Sequence, residues 1–345
     1  MRRTLILDSG LSVVVPVFNE AEHIAKTLTL AHQSLDKSGI PFEIIVSDDG
    51  SSDESKLKVR NLSLPHVHLV ENTHKGRIAT RLSGVTKAKF ENVLLLDARI
   101  RLDADSITNL KDLIFNNPGS VFWNGHINLT NLEKVQVSIW QTLVAIGWGT
   151  YARNPRLCSF GIDEFDRYPK GTGLFLAPRN LWIKELVELE SAQEKTSTNL
   201  SDDTRLLRKF AEQSNIWISP DFSANYQPRV ATKAFLANLI YRGSTFVDSY
   251  WNSPGLVGKF IKFVIPTMMI LGIASAFVMG LSFWISAVVA TLVALNLLLG
   301  IVSYKLWGSF KRAIREGLLG FVFWPLFGIG LAKGLLGRIR NMSSI

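Results

Sequence analysis

The chain has 345 residues, which allows two structural modules because single domains usually occupy about 100 to 200 residues. It carries 38 Lys and Arg against 29 Asp and Glu, a formal net charge of +9. The excess is local, since residues 256–345 contain nine bases and a single acid, Glu316. These bases flank apolar runs and do not alternate with aromatic residues, so they indicate anionic lipid headgroups and exclude nucleic acid as the partner.

The N-terminus and the cysteine content both indicate a cytosolic, reducing environment. Cys158 is the single cysteine, so no intrachain disulfide can form. Residues 1–8 contain two arginines but too short an apolar stretch for a signal peptide. We therefore expect the N-terminal module to remain in the cytosol.

Short β-branched runs alternate with helical patterns through the first two thirds of the chain. The predicted strands are 11–17, 42–47, 66–70, 93–96 and 171–177, and the predicted helices include 19–35, 77–88 and 202–212. Such alternation predicts an α/β fold with a Rossmann-like, mostly parallel sheet, whose ligands lie beyond the carboxyl ends of the strands. Polar residues at those ends are the candidates for function.

A long uncharged segment follows Lys262. Residues 263–304 contain no charged side chain over 42 positions. At about 1.5 Å per helical residue this length matches two crossings of a hydrocarbon core about 30 Å thick. We predict two spanning helices, about 263–280 and 283–304, with a turn at Gly280–Ser282.

A third apolar segment, about 317–336, has bases on both flanks and contains Pro325. Because basic flanks prefer the cytoplasmic side, we expect a re-entrant or interfacial segment and not a third crossing. The predicted division is 1–255 for the α/β domain and 256–345 for the membrane region. The aliphatic, tryptophan-containing stretch 135–148 fits either a core helix or a helix on the membrane interface.

Two motifs about 30 residues apart carry a family resemblance. The first predicted strand ends in PVFNE, residues 16–20, and the second ends in VSDDGSSD, residues 46–53. With Asp97 after the strand 93–96, and with Asp202 and Asp203 further on, the chain resembles glycosyltransferase family 2, which has the GT-A nucleotide-binding fold. The resemblance covers about residues 11–250. On its own, DDGSSD is also typical of a turn followed by a helix cap.

The resemblance implies a nucleotide-sugar donor of the UDP, GDP or dTDP type. It assigns the base contact to Asp48 or Asp49 and the ribose or base edge to Glu20. Pro16 and Phe18 belong to the same donor segment, and carboxylates at strand ends are strong acceptors for base and ribose donors. A basic segment, which surface solvation would also explain, is expected near the phosphates: Lys75, Arg77 and Arg81.

The chain departs from the family at the metal-binding triplet. Most relatives carry Asp-x-Asp after this strand, and here the residues are Asp97, Ala98 and Arg99. An arginine cannot bind a cation, and Mg²⁺ or Mn²⁺ requires oxygen ligands. Two outcomes stay open: a divalent cation bound by Asp97 together with the diphosphate, which we expect, or neutralisation of phosphate charge by Arg99 itself.

The resemblance also assigns the transfer chemistry. Asp203, preceded by Asp202, corresponds to the acid that accepts the proton of the acceptor hydroxyl, although the same acids would also suit a helix N-terminus. Gly171, Thr172 and Gly173 are expected to form the floor of the acceptor pocket. Arg242 is the candidate for stabilising the leaving diphosphate, or otherwise for contacting a headgroup.

Together these features predict an inverting glycosyltransferase of the cell inner membrane with a cytoplasmic catalytic domain. The acid pair favours a hydroxyl on a lipid-linked or glycan acceptor, because a hydroxyl needs a base. A polyprenyl phosphate acceptor is the second possibility, since an anionic nucleophile needs little assistance. The altered metal triplet leaves a third, a catalytically silent membrane scaffold that binds nucleotide sugars.

Overall fold

The computed structural model describes residues 7–195, 202–251, 253, 256–267, 275 and 280–342. The chain divides into two compact units. The first comprises residues 1–130, 148–197 and 202–228, and the second comprises residues 131–147, 198–201 and 229–345. The candidate site belongs to the first unit.

The first unit is built on one nine-stranded sheet with the order β3-β2-β1-β4-β8-β6-β9-β5, with β7 paired to β9. The strands are β1 Leu11–Val17, β2 Phe42–Asp48, β3 Val67–Glu71, β4 Asn92–Leu96, β5 Ile100–Leu102, β6 Phe122–Leu129, β7 Cys158–Phe160, β8 Leu174–Pro178 and β9 Ile216–Tyr226. Every residue of β2, β4 and β8 is buried, as expected for strands covered on both faces.

The α/β fold class is confirmed, and the sheet combines parallel pairs, including β6 with β9, with antiparallel ones. β1, β2, β3 and β4 pair in parallel, as the alternating pattern predicts. β8 is antiparallel to both β4 and β6, and β9 is antiparallel to β5 and β7. Sequence periodicity reports burial but not strand direction. The antiparallel pairings in the second half of the sheet could therefore not be predicted from it.

Helices α1 Ile24–Ser38, α2 Ser55–Asn61, α3 Arg77–Lys87, α4 Ser106–Asn116, α6 Gly149–Ala152, α7 Arg179–Lys195 and α8 Asp202–Gln213 accompany the sheet. α1 begins at Ile24, five residues after the predicted start. The backbone N–H groups of Asn19 and Glu20 donate to the hydroxyls of Ser51 and Ser55, which holds this segment in a loop.

The packing of α3 against the sheet depends on a glycine. A Cβ added at Gly84 would lie 2.5 Å from Cγ1 of Val14 on β1 and 3.2 Å from Cβ of Ser47 on β2. The backbone of α3 therefore approaches the sheet more closely than a side chain would permit. This contact sets the position of Arg77 and Arg81, which lie on the same helix.

The second unit is helical: α5 Val135–Gly147, α9 Thr232–Tyr250, α10 Leu256–Lys259, α11 Leu281–Trp307 and α12 Phe310–Met342, with a π-helical turn at Phe260–Val264. Ile139 of α5 packs with Leu239 of α9, Leu299 of α11 and Phe323 of α12. The stretch predicted at 135–148 is therefore a helix of this unit. Within the described residues, 282–307 and 310–340 are long and apolar enough to cross a membrane.

The third apolar segment lies inside a single 33-residue helix, α12, which continues through Pro325. Pro325 does not end the helix, and the re-entrant or interfacial placement of the segment remains a prediction. Most of the first predicted span, 263–280, lies outside the described residues. The last segment of the second unit begins at Arg229, ahead of the predicted boundary at 256, and α9 packs along α12.

A buried ion pair joins three helices of this unit. The carboxylate of Glu316, which is fully buried, accepts hydrogen bonds from Arg312 Nε at 2.6 Å and from the Thr142 hydroxyl at 2.7 Å. Arg312 also donates to Gln141 Oε1 at 3.0 Å, and Trp307 Nε1 donates to the Thr142 hydroxyl at 2.9 Å. A buried charge is tolerated because its hydrogen-bonding capacity is satisfied in this way.

The close approach of α3 generates a stability prediction. Gly84→Val should destabilise the protein by about 2 to 3 kcal/mol, because an overpacked interface must shift to relieve the clash with Val14. Ser83→Val introduces the same side chain one position earlier, at a half-buried site, and should cost far less. Thermal unfolding of the detergent-solubilised chain, followed by tryptophan fluorescence, measures both. Equal shifts in the two variants would show that α3 is not seated as described.

Candidate active site

The two motifs PVFNE and DDGSSD interlock at the carboxyl ends of β1 and β2. Val17 and Asp48 are paired in the parallel register, so the two loops begin at the same level. Asn19 has a φ of 54° and its Oδ1 accepts the backbone N–H of Ser52 at 2.9 Å. The segment that the sequence also allowed as a turn and cap is thus a turn that positions the neighbouring acids.

Asp48 and Asp49 differ in what they bind. Asp49 Oδ1 accepts the backbone N–H groups of Lys75 at 2.9 Å and Gly76 at 3.2 Å, which ties the start of α3 to the end of β2. Asp48 Oδ2 accepts the Ser51 N–H at 2.9 Å. Asp48 Oδ1 is buried and has no hydrogen-bond partner among the described residues. Of the two predicted base contacts, Asp48 is the one with a buried carboxylate oxygen that could still accept a hydrogen bond.

An aromatic pair stands beside these acids. The rings of Phe18 and His74 stack with centroids 4.5 Å apart, and Phe18 is 43% exposed. His74 Nδ1 lies 3.0 Å from the carbonyl oxygen of Asp49. An exposed aromatic face next to a carboxylate acceptor is suited to a planar base. Pro16, predicted with this segment, lies within β1 opposite Ser47.

Arg99 is paired with Glu20. Its Nε lies 2.9 Å from Oε1 and 2.8 Å from Oε2 of Glu20, and both side chains are largely buried. The backbone N–H of Arg99 donates to Asp97 Oδ1 at 2.9 Å. Glu20, Asp97 and Arg99 are thereby brought together at the ends of β1 and β4.

Asp203, at the start of α8, meets Arg81 of α3 and Thr172. Both terminal nitrogens of Arg81 lie 3.4 Å from Asp203 Oδ1, and the Thr172 hydroxyl donates to the same oxygen. Burial would raise the pKa of Asp203, but the charges of Arg81 and Arg77 and the Thr172 hydrogen bond outweigh it and the pKa is lowered. The Asp203 carboxylate is therefore ionised at neutral pH.

The pKa of Asp97 is shifted in the opposite direction to that of Asp203. Burial raises its pKa, and the neighbouring charges of Glu20 and Asp203 add to the increase against the opposing effects of the Arg99 N–H and Arg81. Its backbone N–H donates to the Gly173 carbonyl at 2.8 Å. A Cβ at Gly173 would lie 2.8 Å from Ile100, so this glycine permits the contact, whereas Gly171 has open space around it.

The positions of four predicted residues do not test the roles assigned to them. The side chain of Asp202 lies outside the described part of the structure. Lys75 and Arg77 are exposed at the start of α3, and Lys75 contributes its backbone N–H to Asp49. Arg242 lies on α9 of the second unit, with its guanidinium 4.5 Å from the ring centroid of Trp140. The roles assigned to these residues remain predictions.

Sequence reasoning missed two residues next to those it named. His74 immediately precedes Lys75, and this position next to a predicted site residue is the sequence feature that could have identified it. Lys170 immediately precedes Gly171 and donates to the carbonyl oxygens of Phe165 at 2.7 Å and Tyr168 at 3.3 Å. Burial lowers the pKa of Lys170 to about 8. Lys170 holds the loop that leads into the predicted acceptor floor. No feature of the local sequence indicated this role.

The residues present do not fit a divalent cation bound by the protein. Among the described residues, no three His, Cys, Asp or Glu side chains are grouped so as to hold a metal ion. Asp97 offers one carboxylate with a raised pKa, and the position of the second acid holds Arg99, already paired with Glu20. Mg²⁺ and Mn²⁺ require several oxygen ligands, which this set does not supply.

Part of the chain matches a known protein family. Residues 12–161 match the family model described as glycosyl transferase family 2. A mannosyltransferase from Pyrobaculum calidifontis, solved in complex with GDP-Man and Mn²⁺, superposes with a TM-score of 0.52 at 17% identity over 91% of this chain and 87% of that chain. Residues 12–161 thus resemble glycosyltransferase family 2, and the likeness to the solved mannosyltransferase supports the GT-A fold.

Curated relatives match over shorter segments. An undecaprenyl-phosphate 4-deoxy-4-formamido-L-arabinose transferase of Pectobacterium atrosepticum is 33% identical over 105 residues, which is 29% of this chain and 32% of that protein. A chondroitin synthase of Escherichia coli is 37% identical over 99 residues, 28% of this chain and 14% of that protein. The chain thus spans about a third or less of the length of these relatives.

The Thr172–Asp203 contact generates a pH prediction. A carboxylate with a lowered pKa stabilises the fold above its unfolded pKa of about 3.9, and this contribution is lost as the pH falls through the folded pKa. Thr172→Val should therefore lower stability by about 1 kcal/mol at pH 7, and the deficit should shrink progressively as the pH falls below about 3.9. Thermal unfolding across this pH range measures the difference.

Thr86→Val is the matched control. The Thr86 hydroxyl donates to the Leu82 carbonyl of its own helix, with no carboxylate involved. Its effect should not change with pH. A Thr172→Val deficit that is equally large at both ends of the pH range would contradict an ionised Asp203 partner.

Proposed function

We propose that the chain is an inverting glycosyltransferase that moves a sugar from a nucleotide-activated donor to a membrane-associated acceptor. The observation that carries the proposal is the convergence of Glu20, Asp97 and Asp203 with Arg81 and Arg99 at one end of the sheet. Ligands of open α/β sheets bind at that end. The match of residues 12–161 to the glycosyltransferase family 2 model supports the same reaction class.

In the proposed reaction the donor base lies between the Phe18 face and Asp48, and the diphosphate lies toward the α3 arginines. The acceptor hydroxyl attacks the anomeric carbon as its proton passes to the ionised Asp203 carboxylate. The bond between the anomeric carbon and the phosphate oxygen breaks, and the nucleoside diphosphate leaves from the opposite side, which inverts the configuration. Arg77 and Arg81 offset the charge that develops on the leaving group.

A hydroxyl acceptor is the first choice because Asp203 is ionised and able to accept a proton. A polyprenyl phosphate acceptor is the second candidate. It is favoured by the name of the Pectobacterium relative, which acts on undecaprenyl phosphate. The two are distinguished by supplying acceptors with a free hydroxyl or with a terminal phosphate to the same preparation and identifying the product.

The donor base is one of uridine, guanosine or thymidine, and a divalent cation accompanies the donor in the solved mannosyltransferase. Such a cation would supply positive charge to the diphosphate. In this chain Asp97 is the predicted ligand, but its single carboxylate does not make a cation site, and no step of the proposed reaction is assigned to a metal ion.

The principal test is Asp203→Asn. It should reduce sugar transfer by about 100-fold or more, since a positioned base contributes about 10² to 10⁴. Nucleotide binding should persist, because Asp203 does not lie in the predicted base contact. Transfer is measured in membranes with radiolabelled nucleotide sugars, and binding by thermal shift.

Asp112→Asn is the control, since Asp112 is an exposed acid on α4. It should transfer sugar at the wild-type rate. If the wild type binds nucleotides but consumes no donor with any acceptor, the enzyme proposal fails and the catalytically silent scaffold replaces it.

We further propose that the second unit anchors the chain in the cell inner membrane, with α11 as a spanning helix, α12 in the interface and the α/β domain cytoplasmic. One face of α12, an arc of about 120° at 100° per residue, carries a stripe of exposed apolar side chains: Phe310, Ile314, Leu318, Phe321, Val322, Ile329, Leu336 and Ile339. At about 100° per residue, Lys311, Arg315, Lys333 and Arg340 all fall along one edge of this stripe. An apolar stripe with a basic edge from end to end suits a helix lying in the plane of the membrane.

Fluorophores at Ile314, Val322 and Ile339 test the orientation of α12. In a Cys158→Ala background, single cysteines at these positions are labelled and quenched by lipids carrying quenchers at different depths. All three should lie at the same shallow depth. Val293, near the middle of α11, is the control and should lie deep.

A crossing helix would give a different pattern. Ile314 and Ile339 are 25 residues apart, about 37 Å along a helix, which exceeds the hydrocarbon thickness of about 30 Å. Val322 would then lie deep while at least one end reached the surface. That result would replace the interfacial arrangement with a further span.

A further inference from the structure

A cavity of about 260 Å³ lies at the start of α12, within the second unit. Its lining includes three bases within five positions of α12, Lys311, Arg312 and Arg315. The hydroxyl-bearing residues Ser138 and Ser309 line it as well. Pockets that hold a whole small ligand measure about 300 to 1,000 Å³. This cavity therefore suits a small group such as a phosphate, and not a complete nucleotide sugar.

The Arg312 guanidinium is fixed in the wall of this cavity. Its Nε donates to the buried Glu316 carboxylate at 2.6 Å, and its Nη1 donates to Gln141 Oε1 at 3.0 Å. Its Nη2 donates to the Ser138 carbonyl oxygen at 2.8 Å. Because Glu316 offsets its charge and most of its donors are used, Arg312 shapes the wall and adds no surplus charge.

Lys311 and Arg315 carry the surplus charge of the lining. Arg315 Nη2 donates to the backbone carbonyl oxygen of Glu133 at 2.9 Å, which holds its guanidinium at the cavity. Among the described residues, neither of these bases forms an ion pair, and neither does the Glu133 carboxylate, which belongs to the same lining. Two bases thus stand against one acid, and the cavity keeps a net positive charge.

Apolar side chains border the same cavity. Leu132 belongs to the lining and is 37% exposed. Phe310 and Ile314 on α12 are 71% and 47% exposed. Since helical positions four apart lie on one side, these two side chains form a row next to the row of Lys311 and Arg315. A phosphate that carries acyl chains would contact both rows, whereas a soluble anion would leave the apolar row in water.

We propose that this cavity binds the phosphate headgroup of an anionic phospholipid. Basic pockets between membrane helices bind phosphate headgroups in this way. Lys311 and Arg315 donate N–H groups to the phosphate oxygens, and the acyl chains lie along Phe310 and Ile314. A bound lipid would fix the start of α12 at headgroup level. The site is independent of the proposed sugar transfer, because none of its residues has a role in that reaction.

The test measures binding of dioctanoyl phosphatidic acid to the full chain in a neutral detergent, by calorimetry. Inorganic phosphate and dioctanoylglycerol supply the headgroup and the acyl chains separately. Phosphatidic acid should bind at least about tenfold more tightly than either, because the site takes both parts. Farnesyl phosphate, which carries a phosphate on an isoprenoid chain, should bind more weakly than phosphatidic acid.

Four variants localise the binding. Lys311→Gln and Arg315→Gln should each weaken phosphatidic acid binding about five- to tenfold, as expected for loss of one charge-assisted contact. Glu133→Gln should strengthen it, since the change removes a negative charge and keeps the backbone carbonyl that Arg315 binds. Lys333→Gln is the matched control, because Lys333 is an exposed base of the same helix outside the cavity lining. It should bind as the wild type does, and unfolding temperatures should show that all variants fold.

Four results would overturn the proposal. A loss in Lys333→Gln equal to that in Lys311→Gln would show diffuse attraction to the bases of α12 and no site in the cavity. Inorganic phosphate that binds as tightly as phosphatidic acid would make this a site for a free anion. Tighter binding of farnesyl phosphate would assign the cavity to an isoprenoid phosphate. Unchanged affinity in folded Lys311→Gln and Arg315→Gln variants would remove both bases from the site.

None of these results bears on the proposed glycosyltransferase function, which the Asp203→Asn variant tests separately.

Discussion

Like charges brought together in a partly buried place repel one another, and this constraint governs the end of the sheet. Glu20, Asp97 and Asp203 act on one another there, and the raised pKa of Asp97 reflects both burial and its two acidic neighbours. Arg99 compensates Glu20 and Arg81 compensates Asp203. The acids can converge only because the fold delivers two arginines to the same place.

Each arginine reaches its partner through packing. Arg81 arrives on α3, whose approach to β1 and β2 is allowed by Gly84. Arg99 arrives because Asp97 accepts its backbone N–H at the turn between β4 and β5. Charge compensation at the site is therefore tied to the packing of the core. A change in the seating of α3 alters the pKa of Asp203, since Arg81 is the strongest influence opposing its burial.

The sequence predicted the acids of the site but not which arginine pairs with which acid, and the reason is physical. β-branched runs locate strand ends, and parallel pairing brings those ends to one edge, so Glu20, Asp48, Asp49 and Asp97 could be named from local patterns. Arg81 and Asp203 are 122 residues apart, and Arg99 and Glu20 are 79 apart. No periodicity links such positions. Strand β8 was predicted at 171–177, but its antiparallel direction was not, because burial patterns carry no direction, and β9 was not predicted at all.

Charge compensation also explains why the number of bases after residue 255 overstates how many of them are available to contact lipid headgroups. Nine bases and one acid follow residue 255, yet Arg312 is bound by the fully buried Glu316, and Arg338 is bound by Asp248 of α9. Both of these arginines lie on the face of α12 that packs within the second unit, so their charges serve the protein interior. Among the bases of α12, the ones that are exposed along the edge of the apolar stripe are Lys311, Arg315, Lys333 and Arg340. The arrangement of charge around the helix, and not its total, distinguishes a helix lying along the membrane from one that crosses it.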